Sequence, residues 1–173
     1  LDYIDLNQEQ RAYFKQYFDE QIFPVLTPLA IDPSHPFPYI SNLSLNLAVV
    51  MKEGEDGKEL FARVKVPRIL PRFLPLPDNL RHQQKDVAAI WTGVPVEQVI
   101  AHNLTVLFPG MDIQEYHPFR VTRDSDLALV EDEADDLLVA IEQELHKRRV
   151  GGSVVRLEIH TSMPEMLRAM LME

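Results

Sequence analysis

Along some stretches of this chain apolar residues recur every third or fourth position, and along others every second; the first spacing predicts helices and the second strands. Tyr13, Phe14, Tyr17, Phe18 and Ile22 form a wide aromatic stripe, which predicts a helix over 7–23 capped by Asn7 with Gln10 three residues on. Leu45, Leu47, Val49 and Met51 alternate with Ser44, Asn46, Ala48 and Val50, the pattern of a strand with one buried face. A polar turn over 53–58 leads into Leu60, Ala62, Val64 and Val66, so the pair reads as a hairpin. A short apolar run at 87–91 predicts a third strand. Pro95 then opens one helix carrying Val96, Val99, Ile100, Leu104 and Leu107, and Phe108, Pro109 and Gly110 end it.

Residues 111–121 have strand character despite Pro118, and they lead toward the longest amphipathic segment of the chain. There Leu137, Leu138, Ile141 and Leu145 share one helical face. Acidic residues crowd its start over 131–136, Lys147, Arg148 and Arg149 close it, and Gly151 and Gly152 supply the stop. Val154–Ile159 predicts another strand, and Pro164 opens a last helix bearing Met166, Leu167, Met170 and Leu171. Thirteen prolines against six glycines crowd mainly into 24–42 and 67–77. Neither stretch suits a helix or a central strand, so the first predicts an ordered connector and the second an edge or surface path. The expected fold class is α+β: a mixed, largely antiparallel β-sheet covered by helices, one domain with a leading helix.

At 173 residues and 46% hydrophobic, the chain is long enough to bury one core. It has no apolar run of membrane-spanning length, which predicts a soluble piece, and the start at Leu1 without methionine predicts a segment of a longer protein. The absence of cysteine excludes disulfides and thiolate chemistry and suits a cytoplasmic setting. A net charge of −10 argues against general nucleic-acid binding, although a local basic site survives it, because potential is set by the groups that line a cleft.

The six histidines offer little by local sequence: His35 lies between prolines, His102 and His117 border apolar segments, and His146 has cations beside it that a helix end explains. No histidine spacing suits a metal, and no glycine-rich nucleotide loop is present. The acidic run over 131–136 fits either a divalent cation or, more simply, a helix start. Arg120 and Arg123 are the best candidates for touching an oxyanion, since guanidinium donors match its oxygens; salt bridges to Asp124, Asp126 or the acidic helix start over 131–136 are the alternative. In an extended strand Arg120 and Thr122 share a face and Arg123 points the other way. Arg68, with Arg72, forms a second candidate in the proline-rich stretch, against ordinary surface solvation.

Five passages carry a resemblance: VLTPLAIDPSHPFPYISNLSLNLAV, FARVKVPRILPRFLPLP, EQVIAHNLTVLFPGMDI, FRVTRDSDLALVEDEADDLLVAIEQELHKRR and VVRLEIHTSMPEML. In this order they resemble the head, or middle, domain of the bacterial polyphosphate kinases that work through a phosphohistidine; 79–94 departs from the family pattern. The resemblance implies a linking helix at 1–24 and the head domain at 25–173. It implies a parent that moves the terminal phosphate of ATP onto polyphosphate with magnesium, with its phosphohistidine and most nucleotide contacts outside this segment. It further implies a homodimer or homo-oligomer, neighbouring domains of the same chain as partners, and a cytoplasmic enzyme that can be membrane-associated. On that basis the segment has no catalytic residue, metal or cofactor of its own. Arg120, Arg123 and Arg68 stand as substrate-binding candidates.

Overall fold

A computed structural model describes residues 1–31, 38–54, 57–81, 91–124 and 152–172. The amphipathic helix expected over 131–150, the strand at 87–91 up to residue 90, and His35, His82 and His146 therefore lie outside the described residues. Helix α1 (Gln8–Tyr17) begins on the predicted capping box: Asn7 Oδ1 accepts from the Gln10 amide at 2.9 Å, and Gln10 Oε1 accepts from the Asn7 amide at 3.0 Å. It continues through a π-turn at Phe18–Ile22 and a 3-10 turn at Phe23–Val25. The widened turn has a use. Phe14, Phe18 and Ile22 are four residues apart, a step that overshoots an α-turn and falls short of a π-turn, so combining the two keeps all three on one fully buried line. Gln98 Oε1, accepting from the Tyr3 amide, and the Leu80 carbonyl, accepting from Gln10 Nε2, tie this leading segment to later parts of the chain.

The main sheet has five strands in the order β1 (Pro28–Ile31), β3 (Glu59–Lys65), β2 (Leu45–Glu53), β6 (Met111–Arg123), β7 (Val154–Ile159), every described pairing antiparallel. The hairpin of β2 and β3, strand β7 and the α+β class follow the sequence pattern. A separate ribbon pairs β4 (Phe73–Pro75) with β5 (Gly93–Pro95). Both strands of a two-stranded ribbon are edges, so Pro75 and Pro95 fit there.

Four elements differ from expectation. β2 is buried on both faces: Leu47, Val49 and Met51 join the core with Ala62 and Val64, while Ala48 and Val50 join Phe119 and Val121 on the other side. It is the middle strand with a layer on each face, where alternation marks two cores rather than core and solvent. Part of the proline-rich connector is strand after all: β1, at the sheet edge that proline tolerates. The single helix expected after Pro95 is two, α2 (Val96–Ala101) and α3 (Leu104–Leu107). Asn103 Nδ2 donates to the Val99 carbonyl at 2.8 Å, taking the acceptor that a continuing helix would give to the backbone of residue 103. In α4 (Glu165–Met172), Leu167 is fully buried but Met166 is 57% exposed, because the helix centres its apolar face on Leu167, Met170 and Leu171. Pro118 stands in β6 beside β2 just past the last β7 pair, Phe119 with Ile159, so on that flank it has no ladder to interrupt.

The two cores divide the helices. α1, α2 and α3 cover the face of Leu47, Val49 and Met51; α4 and Met163 cover the face of Ala48 and Val50. Each valine, leucine or methionine side chain sealed this way contributes about 1.5–3 kcal/mol.

Candidate functional site

The two arginines expected at the end of β6 do go to different places. Arg120, opposite Leu45 on one side and Glu158 on the other, donates through Nε to Glu158 Oε2 at 2.5 Å, and Arg156 Nη2 reaches the same carboxylate at 3.0 Å. The hydrogen bond from Arg120 holds the Glu158 carboxyl below its ordinary range, and the same bond raises Arg120. Burial first, and then the charge of Arg120, lowers Arg72, whose guanidinium pairs with Glu97 and lies over Phe73. This cationic group is thus matched by carboxylates. Since folding depresses the Glu158 pKa, the pair's contribution to stability is present above the unfolded glutamate value and fades as pH falls through the lowered one. Arg120→Met is expected to return Glu158 toward the ordinary glutamate range in a carboxyl-carbon NMR titration; an unmoved titration would show that Arg156 alone sustains the shift.

A register shift between Thr122 and Arg123 accompanies the turn of Arg123 to the segment that precedes β2. Its Nε donates to the Ile40 carbonyl at 2.7 Å and its Nη1 to the Gly152 carbonyl at 2.8 Å, while its guanidinium lies 4.4 Å from the centre of the Tyr39 ring. Its backbone N–H donates to Asn42 Oδ1 at 2.9 Å. Arg68 meets the same residue, its Nη2 donating to the Asn42 carbonyl at 2.6 Å. Arg123 and Arg68, distant in sequence, therefore converge on Asn42, and Arg120 does not join them.

Two further cations complete this group and were missed in the sequence. Arg63 Nη1 donates to the Tyr39 carbonyl at 2.7 Å, and Lys65 Nζ donates to Ser41 Oγ at 3.0 Å. Their signal was present: in FARVKV they alternate with Ala62, Val64 and Val66, so they share the face opposite those apolar residues. Arg63 is buried, and desolvation lowers its pKa. The segment they hold includes Leu43 in the left-handed region at φ 57°, fixed by its amide donating to the Val121 carbonyl at 2.9 Å.

The described histidines are engaged otherwise. His102 stacks on Tyr3 at 4.1 Å with Nδ1 2.8 Å from the Gln98 carbonyl; His117 is buried with Nε2 3.0 Å from Glu115; His160 Nδ1 lies 2.8 Å from Ser162 Oγ. A cleft of about 320 Å³ is lined by His102, Leu104, Ile113, Glu115 and Tyr116 among others, apolar and acidic groups that do not suit a phosphate. Among the described residues no three histidine, aspartate or glutamate side chains gather to hold a metal such as magnesium, and no helix is long and apolar enough to cross a membrane.

Residues 9–173 match the family described as the polyphosphate kinase middle domain. The chain is 67% identical over 173 residues to a polyphosphate kinase of Aphanizomenon baltica, covering all of this chain and 45% of that protein. It is 64% identical to a polyphosphate kinase of Synechocystis sp., covering 99% of this chain and 24% of that protein. Among solved structures, polyphosphate kinase from Porphyromonas gingivalis superposes with a TM-score of 0.69 at 26% identity, over 95% of this chain and 22% of that one. The chain therefore spans less than half the length of these relatives. With the family matched over nearly its whole length and the fold shared with a solved member, the chain belongs to the polyphosphate kinase middle-domain family.

Proposed function

We propose that this chain is the architectural middle domain of an ATP:polyphosphate phosphotransferase, organising a homodimer and framing the polyphosphate path while the phosphohistidine lies on other domains of the parent. In this division 1–24 is the helix leading from a preceding domain and 25–173 the head domain. ATP and magnesium belong to the parent reaction, which runs in the cytoplasm or at the membrane surface. The observation that carries the proposal is the setting of His102, His117 and His160. Their near partners are a carbonyl, a carboxylate and a hydroxyl, whereas a phosphate-accepting imidazole needs cations around the incoming group.

Incubation of the chain with ATP, magnesium and polyphosphate is expected to give no phosphate transfer. Turnover abolished by replacing any one of the six histidines of the chain would overturn the proposal.

A second function, direct binding of polyphosphate or a phosphorylated metabolite through Arg120, Arg123 and Arg68, is favoured by the Arg123 and Arg68 guanidinium groups, which bond the Ile40 and Asn42 carbonyls of one turn. Arg120, already paired with Glu158, would bind a phosphate only in competition with that carboxylate.

A further inference from the structure

Residues 39–42 are the meeting point of four cations. Arg63 donates to the carbonyl of Tyr39, Arg123 to that of Ile40, Lys65 to the hydroxyl of Ser41 and Arg68 to the carbonyl of Asn42. Four consecutive residues span at most three Cα steps of 3.8 Å, so the acceptors lie along about 11 Å of chain. Every acceptor is neutral. Among the described residues none of these four side chains forms an ion pair with a carboxylate, whereas Lys15, Lys52, Arg72, Arg81, Arg120, Arg156 and Arg168 do; Arg11 also donates to a neutral acceptor, the Ile4 carbonyl, but stands apart from this turn. Asp124, next to Arg123 in sequence, has an interaction of its own and tempers the local potential. In a chain of net charge −10, a neutral-bonded group of this size is out of keeping with its surroundings.

The donors are also under-used. A guanidinium carries five N–H bonds and an ammonium three; Arg68 and Lys65 each direct one at a described acceptor, and Arg123 directs two from its side chain. Arg63 Nε is buried with no partner at all among the described residues, an arrangement that costs desolvation without return. Burial disfavours the charged form of Arg63, but a guanidinium does not give up its proton at neutral pH, so the positive charge stays and calls for an anion. The donors come from a β-strand, a proline-rich stretch and the end of another strand, and all bond to one turn. A phosphoryl group offers several acceptor oxygens to guanidinium and ammonium donors, in charge-assisted hydrogen bonds stronger than those the neutral carbonyls and hydroxyl provide.

We propose that Lys65, Arg68 and Arg123, backed by buried Arg63, form a binding site for a phosphoryl anion at the Tyr39–Asn42 turn, either free orthophosphate or one unit of a phosphate chain. This deepens the second function above, since it rests on the chain binding phosphate, and relocates the site from Arg120 to the opposite side of β6.

The test follows amide and arginine Nε–H NMR shifts of the whole 173-residue chain during titration with tripolyphosphate, with orthophosphate in a parallel arm. The expected result is saturable movement of the 39–44 amides and of the Arg63 and Arg123 Nε–H signals. Binding is expected to weaken about tenfold in each of Lys65→Gln and Arg68→Gln and to hold in Lys15→Gln, which removes the same charge on α1. Lys65 and Arg68 are solvent-accessible, so their variants retain the fold if Arg63→Gln does not. Movement at the same signals in both arms identifies a single-phosphate site, and movement with tripolyphosphate only identifies a chain site; either supports the proposal. Binding unaffected in both K65Q and R68Q but lost in Arg120→Gln would overturn this site and leave phosphate binding by the chain intact. Equal weakening in K15Q would reduce it to nonspecific charge, and no binding of either anion would end both proposals.

Discussion

Phe18→Ala is expected to lower the unfolding free energy by about 3–5 kcal/mol, seen as a shift of the urea midpoint at unchanged slope. Phe18 is fully buried at the junction of α1 and the π-turn, in line with Phe14 and Ile22, and its ring centre lies 6.1 Å from that of Phe23. Truncation removes the ring from water-free contact and leaves a cavity that the neighbouring helix and sheet fill only in part. Phe23→Ala is the comparison, since Phe23 is 43% exposed and its loss removes far less buried surface. If the two variants lose similar stability, the leading helix is held by something other than this line of side chains. The result also bears on the proposed boundary near residue 24. A large loss at Phe18 means that the helix is part of the folded unit, whatever it also connects.

The second large effect is at the middle strand. Val49→Asp is expected to abolish cooperative folding near neutral pH, a loss above about 4 kcal/mol, monitored by near-ultraviolet circular dichroism. Val49 is fully buried, opposite Ala62 on one side and Tyr116 on the other, and it shares its face with Leu47 and Met51. A carboxylate there has no cation among those neighbours, so it folds only in the protonated form, and its folded pKa is raised. The ionisation part of the penalty is absent below the unfolded aspartate value of about 3.9 and grows as pH rises above it, while the cost of burying the neutral carboxyl remains, so relative to the parent chain at each pH the variant recovers in part in acid. Ala48→Asp supplies the contrast. That position faces the other core directly opposite Arg63, and a carboxylate there meets a buried guanidinium. It is expected to cost clearly less than Val49→Asp; equal losses would mean that Arg63 is not available to neutralise it.

The two faces of β2 mark the point at which pattern stops being informative. Alternation along Leu45–Glu53 identified the strand and put Leu47, Val49 and Met51 together. It did not say that Ala48 and Val50 are equally buried, because burial of the second face depends on α4 and Met163 arriving from the far end of the chain. Helix ends behaved similarly. The Asn7 box works through residues three apart and was legible, whereas the break at Asn103 turned on which of two donors wins one carbonyl.

The candidate site divides along the same line. A strand's period of two was enough to send Arg120 and Arg123 to opposite sides, and the residue types were enough to mark both as phosphate candidates. Only the folded arrangement decided that Arg120 meets Glu158 while Arg123 joins Arg63, Lys65 and Arg68 around one turn. By itself the sequence determined the α+β class, the hairpin, the capped leading helix and the family, because these rest on local periodicity, on caps a few residues long and on ordered motifs. The tertiary structure decided which charges are neutralised and which are not, since an ion pair depends on distances between segments tens of residues apart, and no spacing along the chain encodes them.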